Sequence, residues 1–247
     1  MRGCWLFITV VCLSLPTLAC NVDLDAPGRL SADKARDTSS KPCAMFDILP
    51  VKPQAVVLDL LGGGGYFSEL LAQAVGPAGK VYLHNNQAYL PYVSDMLEQR
   101  LAAERLPNVL RYDRELNNLE LADNSLDAVF FIMGYHDMYH TSSDWHIEPA
   151  LLMAQVHRAL KPNGLMLIVD HNAAAGSGSS AAQQLHRIEQ QFVQQDLQKF
   201  GFTVIKSSDV LSNPADNYSQ SVFDKAIRGN TDRFVLLVQK TPMAAND

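Results

Sequence analysis

An α/β fold built on a doubly wound sheet is predicted by two features of the chain. Strand-like apolar runs alternate with helical segments from residue 55 onward, and the runs "AVFFIM" and "LMLIV" are almost continuously hydrophobic. Alternation of this kind belongs to parallel sheets whose crossovers are helices. A strand covered by helices on both faces needs apolar side chains in both directions, so it loses the alternation of a half-exposed strand.

The elements follow in order. "CAMFDIL" is a short apolar helix, and "VKPQ" is the turn that delivers the chain into a first strand at 55–60. Further strands are expected at 80–85, 109–113, 126–133 and 165–171, with helices at 67–75, 88–105 and 147–160. "LKPNG" before the fifth strand reads as a helix stop and a turn. One long helix is expected at 181–200, and "GFTVIKSSDVL" and "DRFVLLVQK" close the chain as two more strands. Residues 172–182, "NAAAGSGSSAA", are of low complexity and read equally as a lid or as a solvated loop.

The 247 residues, 47% hydrophobic and 19% charged, are enough for one substantial core, so a single domain is expected over 42–247. A net charge of −6 without a Lys/Arg cluster argues against nucleic acid as a partner. Residues 1–19 read as an export leader, with Arg2 ahead of an apolar run too short for a comfortable membrane span. "TLAC" resembles a bacterial lipoprotein cleavage box, which implies periplasmic localisation and a membrane attachment through lipid on Cys20 alone; ordinary cleavage after Ala19 and an uncleaved anchor are the other two readings of this leader. With Cys4 and Cys12 in the leader, a lipidated Cys20 leaves Cys43 without a partner, so no disulfide is expected. Residues 20–41, polar and without an apolar period, read as a tether.

"VVLDLLGGGGYFSELLAQAV", residues 56–75, places four consecutive glycines between a strand and a helix. A Walker-type phosphate loop would end in Gly-Lys-Ser/Thr, whereas Tyr66 and Phe67 follow here. A dinucleotide turn starting at Gly62 would need a small sixth residue and meets Phe67. What remains is an acidic strand end, Asp59, before bare backbone, which suits a ligand carrying a cationic amino group. A side chain at Gly63 or Gly65 would fill the space where backbone meets that ligand, so valine there is expected to cost affinity more than folding.

These residues resemble the first motif of class I S-adenosylmethionine-dependent methyltransferases. Asp59 falls on the acidic position, Gly63 and Gly65 on the second and third glycines, and Leu61 where a first glycine is usual. "ALKPNGLMLIVDH" resembles the fifth-strand signature of the same enzymes, and the Gly-Gly-Gly-Tyr, Tyr-His-Asp and Asp-His signatures resemble a group of exported bacterial members. The resemblance implies a Rossmann-like sheet of seven strands with an antiparallel last pair, S-adenosylmethionine as cofactor, and a small-molecule acceptor. It also implies donor contacts at Asp59, Gly62, Gly63, Gly64, Gly65, Tyr66, Asn85, Asn86, Asp113 and Arg114. Asn85 stands where the family usually has an Asp or Glu for the ribose hydroxyls, and an amide offers no charge-assisted bond there.

Ligands of open parallel sheets lie beyond the carboxyl ends of the strands, so the residues after each strand are the candidates. Behind the fourth strand, "GYHDMYHTSSDWH" holds His136, Asp137, His140, Asp144 and His146. His136 and Asp137 are the expected catalytic residues, either one as a base for an oxygen or nitrogen acceptor, with loop capping or backbone hydrogen bonding as their structural alternative. A zinc site would want three or four ligands of fixed geometry, and no metal-ligand set is expected here. Asp170 and His171, behind the fifth strand, suit either substrate orientation or loop capping. His186 and Glu189 read as a solvated helix face, and Arg228, Asp232 and Arg233 as a structural ion-pair group. Two further functions stay open at this level: a non-enzymatic nucleoside or small-molecule binding module on the same fold, and a metal-dependent enzyme using the His136–His146 cluster.

Overall fold

In a computed structural model the described residues are 20–241. The expected export leader, 1–19, lies outside them. Seven strands form one sheet in the order β3-β2-β1-β4-β5-β7-β6. They are β1 (Val56–Leu60), β2 (Lys80–Asn85), β3 (Val109–Asp113), β4 (Leu126–Ile132), β5 (Leu160–His171), β6 (Phe202–Ser208) and β7 (Arg233–Lys240). The pairs from β3 through β5 are parallel, and β7 runs antiparallel to both β5 and β6. The seven-stranded, doubly wound expectation holds.

The sheet carries a core on each face, and successive residues of one strand feed opposite cores. Val57, Phe130 and Leu167 pack on one side with α2 (Pro42–Ile48) and α3 (Tyr66–Val75), joined by Val93 and Leu97 of α4 (Leu90–Leu101). Leu58, Phe131 and Ile168 pack on the other with Leu152, Met153 and Val156 of α5 (Pro149–Ala159) and Val193 and Leu197 of α7 (Gln190–Lys199). Burial of both strand faces is what the unbroken apolar runs require.

Several local expectations are corrected. Residues 20–41 are no loose tether: Ser31–Ser40 form α1, docked by charge rather than by an apolar stripe. Arg29 grips Asp37 with two bonds of 2.8 and 2.9 Å, Asp33 meets Arg100 at 2.7 Å, and the Tyr66 hydroxyl donates to Asp37 at 2.7 Å. Cys20 is bonded to Cys43, which overturns the disulfide-free reading. A sulfur in a disulfide has no valence left for a lipid thioether, so the lipid on Cys20 is withdrawn as well. The helix expected at 88–105 ends at Leu101, where Ala102 turns to an extended ψ of 144° and a 3-10 turn follows at Ala102–Glu104.

The helix expected at 181–200 is two short ones, α6 (Ala182–Leu185) and α7. His186 between them adopts a left-handed φ of 51°. The backbone of Ile188 then bonds to both His171 and Ala173, which holds the chain extended against the end of β5. Arg187 is buried there and makes a two-bond pair with the equally buried Asp216, at 2.8 and 3.1 Å. β5 also starts earlier than expected, because "LKPNG" is a bulge opposite Leu126–Ala128 rather than a separate turn.

Candidate donor and acceptor site

The strand order reverses between β1 and β4, so the loops that follow those two strands diverge there and leave a crevice at their carboxyl ends. The loop after β1 is the glycine run. Leu61, Gly63 and Gly65 all have positive φ, of 53°, 58° and 82°, which carry the chain from strand to helix in one tight turn. Asp59 beneath it is buried and accepts a 2.6 Å bond from the Ser68 hydroxyl. Burial raises its carboxyl to about 6, against the opposing effect of Ser68.

The end of β2 holds this loop from below. The Leu61 N–H donates to His84 Nδ1 at 3.3 Å, the Gly62 N–H to the His84 carbonyl at 2.9 Å, and His84 Nε2 lies 2.9 Å from the Arg114 carbonyl. Accepting at Nδ1 while donating at Nε2 is the pattern of a neutral imidazole. Burial agrees, since it lowers His84 to about 4.

Asn85 clasps Gly63 twice, its oxygen accepting the Gly63 N–H at 3.1 Å and its nitrogen donating to the Gly63 carbonyl at 3.0 Å. It is fully buried, so the amide shapes the glycine loop where the sequence suggested a direct ribose contact. A carboxylate could accept the N–H but could not donate to the carbonyl, which is a physical reason for an amide at this position. Asn86 likewise accepts from the Tyr89 N–H at 3.2 Å.

Helix α4 lies over the loop. Arg100, 1% exposed, donates to the Gly64 carbonyl and pairs with Glu69 and Asp33. A Cβ on Gly65 would come within 2.6 Å of Leu83 and 2.9 Å of Arg100, whereas one on Gly63 would meet nothing closer than the Tyr89 ring at 3.6 Å. Gly65 is thus glycine for packing, and Gly63 for its backbone conformation. Tyr66, offered by the sequence as a donor contact, is turned away and bonded to Asp37 of α1.

Asp113, at the end of β3, keeps one carboxylate oxygen free of protein partners. Its Oδ2 takes a 2.6 Å bond from Arg111, while its Oδ1 is buried without a protein partner. It lines a cleft of about 290 Å³ with Gln87, Arg114, Glu115 and Asn118. A lone carboxylate oxygen beside a cleft is an acceptor waiting for a donor group, such as the amino group or hydroxyls of a nucleoside. Arg114, which lines the same cleft, bonds Glu120 at 3.0 Å.

The loop after β4 turns back through a 3-10 segment, His136–Tyr139. His136 Nδ1 lies 2.7 Å from Asp170 Oδ1, and the His136 N–H donates to Asp170 Oδ2 at 2.8 Å. His136 Nε2 lies 3.2 Å from Asp137 Oδ1, and His186 Nδ1 lies 3.6 Å from the same oxygen. Burial alone would lower His136, but Asp170 and Asp137 outweigh it and raise the imidazole to about 10. Asp137 is driven the other way: burial opposes, yet His136 and His186 hold it below the ordinary carboxylate range.

Both ring nitrogens of His136 thus face carboxylates, an arrangement that favours the protonated ring and weakens it as a base while no cation takes the proton's place. His171 bonds Thr231 at 2.7 Å and is pushed down by burial and by His136. The rest of the histidine-rich stretch divides: His140 stacks on His186 at 4.7 Å, while His146 pairs with Glu148 on the exposed surface.

Three members of this site carried no usable signal in the sequence. Tyr89, next to Gly63, meets the Trp145 ring edge-on at 6.3 Å, and Trp145 Nε1 donates to the Asp137 carbonyl at 2.8 Å. These two rings join the glycine loop to the His136 loop. His186 looked like an exposed helical residue, and only the break between α6 and α7 turns it inward. The low-complexity loop 172–182 is held by Glu189, whose carboxylate accepts from Gly176 and Gly178 at 2.8 Å each.

Residues 58–168 match the family described as a methyltransferase domain. A ubiquinone/menaquinone biosynthesis C-methyltransferase from Legionella pneumophila is 30% identical over 134 residues, 54% of this chain and 49% of the relative. The chain thus spans about half the length of that relative. Among solved structures, an S-adenosylmethionine-dependent methyltransferase from Aquifex aeolicus superposes with a TM-score of 0.57 at 21% identity, covering 87% of this chain and 94% of the other. The 1,6-didemethyltoxoflavin N1-methyltransferase of Burkholderia thailandensis, solved with bound 1,6-didemethyltoxoflavin and S-adenosylhomocysteine, gives 0.52 at 18% identity, covering 85% of this chain and 79% of the other. At those identities the two structures speak for the fold.

Proposed function

We propose, from the premise that this chain belongs to the class I S-adenosylmethionine-dependent methyltransferases, that it moves a methyl group from S-adenosylmethionine to a small-molecule acceptor. The observation that carries the reading is the unpartnered, buried oxygen of Asp113, a residue that lines the cleft at the same edge of the sheet as the glycine turn. When bound, the sulfonium donor supplies an electrophilic methyl group. The chain's own part is chiefly to position two reactants, which can account for most of such a rate gain.

Asp113 accepts from the donor's nucleoside end. Gly63, clasped by Asn85 and free of a side chain, leaves bare backbone beside the crevice. Asp59 stiffens the turn through Ser68 and sets a negative potential beneath it. His136 and Asp137, on the facing loop, border the acceptor. Held as an ion pair by Asp170 and His186, they orient the acceptor and contribute a fixed charge pattern.

Calorimetric titration of the protein with S-adenosylmethionine tests this. One donor per chain is expected, with Asp113→Ala weakening it by about 10- to 150-fold, the worth of a hydrogen bond to a charged group. Absence of binding to the folded parent chain would reject the donor reading.

The disulfide supports a second reading, that the chain works in an oxidising, exported compartment, since such bonds persist there and are rare in the cytosol. Thiol alkylation of the protein taken from its native cell checks it: Cys20 and Cys43 protected from alkylation until reduction is expected, and free thiols would contradict it.

A further inference from the structure

Three groups able to ligate a metal converge above the ends of β4 and β5: His136 Nε2, Asp137 Oδ1 and His186 Nδ1, all within 4.8 Å of one another. They come from two loops far apart in sequence, and the break between α6 and α7 is what brings His186 in. Four-coordinate zinc binds histidine nitrogen and carboxylate oxygen at about 2.0–2.2 Å, which sets neighbouring ligand atoms about 3.4 Å apart in a tetrahedron. The Asp137 oxygen lies 3.2 Å from one imidazole nitrogen and 3.6 Å from the other. Two edges of the tetrahedron are therefore already close to length.

The surroundings are those of a supported ligand. Asp170 Oδ1 accepts a hydrogen bond from His136 Nδ1–H at 2.7 Å, so a cation that displaces the proton on Nε2 meets that nitrogen already aimed at the common point, the carboxylate–histidine arrangement that metal ligands receive. Asp170 is fully buried and anchored by the backbone N–H groups of His136 and His171, at 2.8 and 2.7 Å, so this support is rigid. The His140 ring flanks His186, and its buried Nδ1 has no partner. The side chains of Asp137 and His186 are each 21% exposed, which leaves a way in.

We propose that His136, Asp137 and His186 bind one first-row divalent cation of the zinc type. Three protein groups leave one tetrahedral position open to water or a small ligand, the composition of zinc sites that act on a bound molecule. This reverses the sequence expectation of no metal-ligand set, and it stands whether or not the chain binds a methyl donor.

The untagged protein, stripped with a chelator, is titrated with Zn²⁺ by calorimetry and with Co²⁺ by visible absorption. One equivalent per chain and cobalt d–d bands are expected. His186→Asn is the informative variant, because asparagine tolerates the left-handed backbone at this position, and it should abolish the bands. Asp170→Asn, which loses only the support, should weaken zinc by about 10- to 100-fold. A hydrogen-bonded triad without a metal role predicts no stoichiometric uptake. That result, or uptake that His186→Asn leaves unchanged, would overturn the site.

Discussion

Replacing Gly65 or Gly63 by alanine separates two reasons for a glycine in one loop. Both have left-handed φ, +82° and +58°, which costs a side-chain-bearing residue about 1–2 kcal/mol. Only Gly65 is also enclosed, its added Cβ falling 2.6 Å from Leu83 and 2.9 Å from Arg100. Neither neighbour can withdraw: Leu83 is fully buried within β2, and Arg100 is tied to Gly64, Glu69 and Asp33. Overpacking of this kind adds about 1–3 kcal/mol. Gly63→Ala should then cost about 1–2 kcal/mol and Gly65→Ala about 2–5. For a domain of this size each kcal/mol lowers Tm by about 2–4 °C.

Scanning calorimetry of the two variants at one pH should therefore place Gly65→Ala below Gly63→Ala. Donor affinity measured on folded Gly63→Ala reports the loop's binding role apart from its packing. A Gly65→Ala midpoint equal to or above that of Gly63→Ala would refute the packing account. The expectation that a side chain at 63 and at 65 acts mainly on binding thus survives only at 63.

Asp59 makes stability depend on pH. Its folded value, about 6, lies above the ordinary 3.8, so between those values the unfolded chain releases a proton that the folded chain keeps. Stability should fall by about 3 kcal/mol as pH climbs through that window and then level off. Urea unfolding of Asp59→Asn should lose that slope, and an unchanged slope would assign it to other groups. Reducing the Cys20–Cys43 bond, which closes a loop over a separation of 23 residues, should cost about 3 kcal/mol. Melting with and without reductant measures it, with Cys43→Ser insensitive to reductant. Arg187→Leu should destabilise by about 3–5 kcal/mol, because it strands a fully buried Asp216 carboxylate. A denaturation midpoint like the parent's would show that water reaches that carboxylate.

Much of the fold was legible because the forces that build it are periodic along the chain. The apolar runs of β4 and β5 could only be strands covered on both faces, and the glycines after Asp59 could only follow a strand that turns at once into a helix. The candidate site was legible in part for the same reason. Residues just past the strands gather at one edge of a parallel sheet, so Asp59, Asp113, His136 and Asp170 were found by position alone.

Contacts without local period were not legible. Helix α1 docks through Arg29, Asp33 and Asp37, and a search for apolar spacing passes over a helix held by ion pairs. The Asn85 clasp on Gly63 depends on the register of β1 against β2, and so does the neutral His84 that ties Leu61 to Arg114. The partner of the His136 ring was hidden because Asp170, which lies 2.7 Å from it, is 34 residues away. The alternation of strands and helices, and the sheet edge where the residues behind the strands gather, were thus determined by the sequence itself, through hydrophobic pattern and turn chemistry. The pairing of His136 with Asp170, the pairing of Cys20 with Cys43 and the arrival of His186 beside Asp137 were decided only by the tertiary structure, since each depends on groups that approach through space.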